Sequence, residues 1–220
     1  MEELKAVREV LNVLYGDSCR LPVQFNTRKL IKAISAVTGY QITHGQIKNI
    51  PELRGMLFRF ESGDHFRGYI DRHPTLRSHL NITDECLYAD KVALILVSED
   101  EENNECWRRF TVVKEAAHLL VEADELGNYT DVTRLANVLA NTASLDQYES
   151  LSDEGRELLL RDYSGIEVAI QLFMPESTHK EWMTRQVHVE GKKPIDLAIT
   201  LKLPQKFVEA RMREFGLLAN

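Results

Sequence analysis

The uninterrupted apolar run from Val92 to Val97, inside Lys91 to Ser98 (KVALILVS), constrains this chain more than any other stretch. A continuous apolar run of this length is the strongest strand signal in the sequence. Upstream, Leu4, Val7, Val10, Leu11 and Leu14 recur at three- and four-residue spacing and predict an amphipathic helix from Glu2 to Tyr15. A second helix is predicted from Thr27 to Thr38, with Asn26 or Thr27 as cap and Gly39 just past its end. Gly55 to Phe60 and His65 to Ile70 flank a Ser62-Gly63-Asp64 turn and read as a hairpin.

After the polar run Glu99 to Glu105, read as a solvated loop, helical patterns fill most of the chain. They cover Cys106 to Glu122, then, past a turn at Leu126-Gly127-Asn128, Asp131 to Ala143, and next Ser152 to Met174, which Pro175 ends. Glu176 to Val189 follows, then a linker at Gly191-Lys192-Lys193 and two short helices, Pro194 to Leu201 and Pro204 to Phe215. The expected class is α+β with a small mixed sheet.

At 220 residues and 44% apolar composition the chain can bury an ordinary core without a staple. A formal charge of −7 argues against holding nucleic acid by phosphate contacts alone. Cys19, Cys86 and Cys106 lack CxxC spacing and read as free thiols. The acidic, helical N-terminus does not read as a signal peptide, and no window approaches the ~18 apolar residues of a membrane span. A cytoplasmic protein is expected.

Lys114-Glu115-Ala116-Ala117-His118 carries the chemical signal. In a helical HExxH motif, histidines at i and i+4 share one face and grip a metal, while the Glu after the first activates bound water. Here Glu115 and His118 keep that spacing, and Lys114 holds the first position. Taken alone, such a pair is an acid beside a packed imidazole. An apolar strand, a polar loop, then RRFTVVKEAAHLL, however, resembles the ImmA/IrrE family of zinc metallopeptidase-fold proteins, whose pattern is a strand followed by RRFTLAHELGHLLLH. A later family helix, ExxANxFAxxLLMP, aligns its end on Val168 to Pro175, placing Asp162 at the third-ligand position, with Gly165 where the family has Ala and Ile166 where it has Asn. Leu197 to Leu201 and Phe207 to Leu217 look like the family's C-terminal helical pair, which also has a helix-turn-helix outline.

The resemblance implies a zincin-like fold over residues 1–190, with N-terminal helices in 1–40, a sheet region in 41–98 and a helical part in 105–190, followed by a C-terminal helical pair in 191–220. It implies Glu115 as catalytic base, His118 and Asp162 as metal ligands, and Ala93, Leu94, Ile95 and Leu96 as a substrate-binding strand whose free edge accepts a peptide. It also implies a helix-turn-helix repressor as partner, in stress, phage or mobile-element responses.

Lys114 alters that chemistry. A catalytic zinc takes three protein ligands, and a protonated lysine removes one and sets a positive charge where the dication would lie. The expectation is a metal-free, catalytically impaired binder, with the ammonium neutralising Glu115 and Asp162. The competing expectation is an active zinc endopeptidase whose third donor is His179, His188, His65, His73 or His79. A third is DNA binding through residues 194–217, tested at Arg211 and Arg213 and disfavoured by the acidic charge. Arg108 and Arg109, near a helix N-terminus, are expected to have an acidic neighbour. Trp107 and Trp182 read as packing or binding residues.

Overall fold

A computed structural model of the chain describes residues 5–16, 24–46, 68–71, 92–97, 104–121 and 165–219. The Gly55 to Phe60 arm of the expected hairpin, the turn at Leu126-Gly127-Asn128, the Asp131 to Ala143 helix and positions 152–164, Asp162 included, lie outside these residues.

Helix α1 (Lys5–Tyr15) packs on α2 (Thr27–Thr38) through Val7, Val10, Leu11, Leu30 and Ile34. The ends of α2 are set locally. The Asn26 side chain accepts the Lys29 N–H at 3.2 Å, and Gly39 takes the left-handed φ of 73° while its N–H reaches Ser35 O at 2.9 Å.

Strands β1 (Gln41–Gln46), β2 (Gly68–Asp71) and β3 (Val92–Val97) form a sheet of order β1-β3-β2. β1 runs parallel to β3, with Ile42 opposite Ala93, and β2 runs antiparallel to it, with Ile70 opposite Ile95. The apolar run is thus the central strand, with Ala93, Leu94 and Ile95 buried. This corrects one expectation. Leu94, Ile95 and Leu96 pair with both β1 and β2, and Ala93 with β1, so over Leu94 to Leu96 β3 has no free edge for a peptide. Among the described residues β1 and β2 form the edges. The polar sequence of β1, QITHGQ, gives no alternating signal.

Helix α3 (Glu105–Val121) packs against α2 and the sheet. Its start is fixed by the Asn104 side chain, which accepts the N–H groups of Cys106 at 3.0 Å and Trp107 at 3.2 Å. The described part of helix α4, 165–173, stops before Pro175, as the sequence predicts. Helices α5 (Glu176–His188), α6 (Pro194–Leu201) and α7 (Gln205–Glu214) follow. Asp196 accepts the Lys193 N–H at 2.9 Å and anchors the entry to α6.

The C-terminal pair shares the core of the chain. Leu197, Leu201, Phe207, Val208 and Met212 belong to the same buried cluster as Ile34, Ile95, Phe110 and Phe173. Phe110 on α3 stacks on Phe207 of α7 with ring centroids 3.8 Å apart, and Trp107 meets Phe207 edge-on at 5.5 Å. Each fully buried ring or aliphatic chain of this kind contributes roughly 1.5–3 kcal/mol. The architecture is α+β in the broad sense, mostly helical around a small mixed sheet. Among the described residues no helix is long and apolar enough to cross a membrane.

Candidate functional site

On α3, Thr111, Glu115 and His118 recur at spacings of four and three and form a buried polar stripe on an otherwise apolar helix face. Lys114 borders it. Its ammonium lies 2.9 Å from Oε1 of Glu115, with the lysine side chain 16% exposed and the glutamate 5%. Oε2 of the same carboxylate faces Nε2 of His118 at 3.9 Å, too far for a hydrogen bond but close enough for the field of one group to act on the other. Glu115 therefore stands between a cation and an imidazole.

Gly165 of α4 closes the site from the other side. A Cβ placed on Gly165 would stand 2.6 Å from Cε1, 2.8 Å from Nε2 and 3.1 Å from Nδ1 of His118. The ring fills the volume that any side chain at 165 would occupy. Past Gly165, Val168, Ala169 and Leu172 bury the same helix in the core.

Two carboxylate oxygens and one imidazole are the donors here, and the adjacent ammonium already compensates the carboxylate. Among the described residues no group of three His, Cys, Asp or Glu side chains could hold a metal ion. Glu115 and His118 alone do not make a zinc tripod, and a lysine bonded to a carboxylate does not supply the missing lone pair. Asp162, His65, His73 and His79 lie outside the described residues. His179 has a different environment. It is fully buried on α5, its ring stacked with Phe25 at 5.9 Å and edge-on to Trp182 at 5.9 Å. Its ring packs against Phe25 and Trp182, and Trp107 packs against Phe207. His188 is exposed at the end of α5.

Two arginines hold the elements around the site. Arg109 has Glu105 as an acidic neighbour, and its hydrogen bonds go mainly to backbone oxygens: it donates to Phe25 O at 2.8 Å, Leu201 O at 3.3 Å and Lys202 O at 2.8 Å, and to Oγ1 of Thr27 at 3.3 Å. Burial pulls its pKa down, opposed by Cys106 and Glu105. Lys202, in the left-handed region at φ 53°, turns the end of α6 so that its carbonyl meets the guanidinium, where the helix dipole favours a cation. Arg108 is exposed. Arg211 is buried on α7, donating to Met174 O at 2.9 Å beyond the end of α4 and pairing with Glu214 at 2.5 Å. It is committed inside the fold and is not available to read DNA, whereas Arg213 is exposed. Neither the Gly165 contact nor the Arg211 tie follows from spacing, although Gly165 does mark a departure from the family pattern.

Comparison with protein-family patterns, with characterised proteins and with solved structures returns no match for this chain.

Proposed function

We propose that this chain is a peptidase-fold regulatory protein of the ImmA/IrrE kind, zincin-like in architecture, that works without metal and binds a protein partner such as a helix-turn-helix repressor without cutting it. One observation carries the reading: the Lys114 ammonium, mostly buried, is bonded to Glu115 at 2.9 Å. In an HExxH enzyme that carboxylate accepts a proton from metal-bound water. Here a fixed cation neutralises it. Gly165 against the His118 ring lends further support, since the resemblance places Ala at that position and the imidazole leaves no room for a methyl group.

The arrangement of α3 beneath a mixed sheet, with α4 laid against the His118 turn, is compatible with a zincin-like layout.

Elemental analysis of protein purified without chelators tests the proposal, together with capture of a helix-turn-helix repressor. The expected outcome is zinc far below one equivalent and a repressor retained intact. Near-stoichiometric zinc that is lost in His118→Ala, with specific cleavage lost in Glu115→Gln, would replace this reading by the active endopeptidase.

A further inference from the structure

Helix α6 carries an exposed apolar pair that the other described residues do not cover. Ile195 and Ile199, one turn apart, are 44% and 68% exposed, while Leu197, Ala198 and Leu201 of the same helix are buried in the core. Lysines stand at both ends of this face. Lys192 and Lys193 precede the helix and Lys202 follows it, all exposed, on a helix about 12 Å long. None of the three takes part in an ion pair among the described residues.

Among the described residues the carboxylates beside α6 are committed to other groups. Asp196 accepts the Lys193 backbone N–H at 2.9 Å. Glu190 faces Arg185 at 3.9 Å and takes the Gln186 side-chain amide at 2.7 Å. A chain of net charge −7 thus presents one locally positive face with an apolar centre.

We propose that this face of α6 docks an acidic amphipathic segment of a protein partner, apolar residues covering Ile195 and Ile199 and carboxylates at either end meeting Lys192, Lys193 and Lys202. Charge complementarity selects this occupant. In a two-fold pairing with a second copy, parallel or antiparallel, lysines face lysines at both ends of the contact, which is repulsive. A nucleic acid backbone satisfies the lysines but sets two isoleucines against phosphates, with no apolar area gained. The inference does not rest on the state of the Glu115 site, because the surface serves a cutting and a non-cutting protein alike.

The test uses the full chain and two fluorescent synthetic helices with paired leucines one turn apart, one flanked by glutamates and the other by lysines, followed by anisotropy. The glutamate-flanked helix is expected to bind about tenfold more tightly than its lysine-flanked counterpart, and less tightly as salt rises. Ile199→Glu, and separately Lys192→Glu with Lys193→Glu, are expected to weaken that binding by about tenfold or more, with unchanged circular dichroism because the side chains are exposed. Equal binding of the two helices, no binding of either, or full affinity in Ile199→Glu overturns the proposal. Duplex DNA that displaces the helix and binds Ile199→Glu as well as the parent overturns it in favour of phosphate. A concentration-dependent dimer abolished by Ile199→Glu overturns it in favour of a second copy.

Discussion

Gly165 and His118 share one space: the ring atom Cε1 stands 2.6 Å from where a Cβ on residue 165 would be. The glycine is helical, a place where it costs stability relative to alanine. Its presence is explained by the imidazole, which occupies the volume an alanine methyl would fill.

Gly165→Ala therefore sets two effects against each other. Helix propensity gains about 1 kcal/mol, while pushing a buried ring aside costs roughly 1–3 kcal/mol. The ring is enclosed, so the second effect wins, and urea denaturation is expected to show a net loss of about 1 kcal/mol. In a His118→Ala background the obstacle is gone, and the same substitution is expected to stabilise by about 0.5–1 kcal/mol. If its sign is the same in both backgrounds, the contact does not exist in solution.

Lys114→Met tests the charge replacement directly. The substitution keeps most of the unbranched stem and leaves the buried carboxylate of Glu115 without its ammonium. Breaking a fully buried pair costs about 3–5 kcal/mol, and the residual exposure of the lysine lowers the expectation to about 2 kcal/mol. Adding Glu115→Gln removes the stranded charge and is expected to recover more than half of the loss. A single Lys114→Met variant as stable as the parent contradicts the ion pair.

What the sequence made legible follows from how local each cause is. Asn26, Gly39 and Pro175 act on their own backbone neighbours, so the ends of α2 and α4 could be read from residue type. The run Val92 to Val97 was readable as a strand, yet its rank in the sheet depends on β1, whose QITHGQ shows no apolar alternation, so the pairing on that side stayed hidden. At the site, Lys114, Glu115 and His118 were visible as a one-helix spacing. The contact with Gly165 joins positions far apart in the chain, and nothing in either segment alone encodes it. Arginine is the plainest case. Arg109 and Arg211 look like surface charge in a linear reading, but both end on main-chain oxygens of other elements, partners that side-chain patterns do not reveal.

Arg109→Lys keeps the charge and loses the fork. The guanidinium reaches carbonyls of Phe25, Leu201 and Lys202 together, which one ammonium on a flexible stem does not reproduce. Breaking two of these hydrogen bonds, at about 1 kcal/mol for each, gives an expected cost of about 2 kcal/mol. Hydrogen exchange should then rise at the end of α6 and around Phe25 before it rises at the centre of α3. An unchanged exchange pattern contradicts a tie between those segments.

Arg211→Glu and Arg213→Glu differ by two positions on α7 and are expected to have opposite outcomes. Arg211 donates to Met174 O, pairs with Glu214 and lies over the Phe215 ring at 4.5 Å, all from a buried position. A carboxylate there faces a carbonyl oxygen and the existing Glu214, leaving a buried, unpaired negative charge, so a loss of about 3–5 kcal/mol is expected. Arg213 is exposed, its partner Glu209 is 3.8 Å away, and its replacement is expected to change stability by no more than about 0.5 kcal/mol. Paired urea titrations read the difference. A stable Arg211→Glu variant would release that arginine from its structural role and reopen α7 as a surface for nucleic acid.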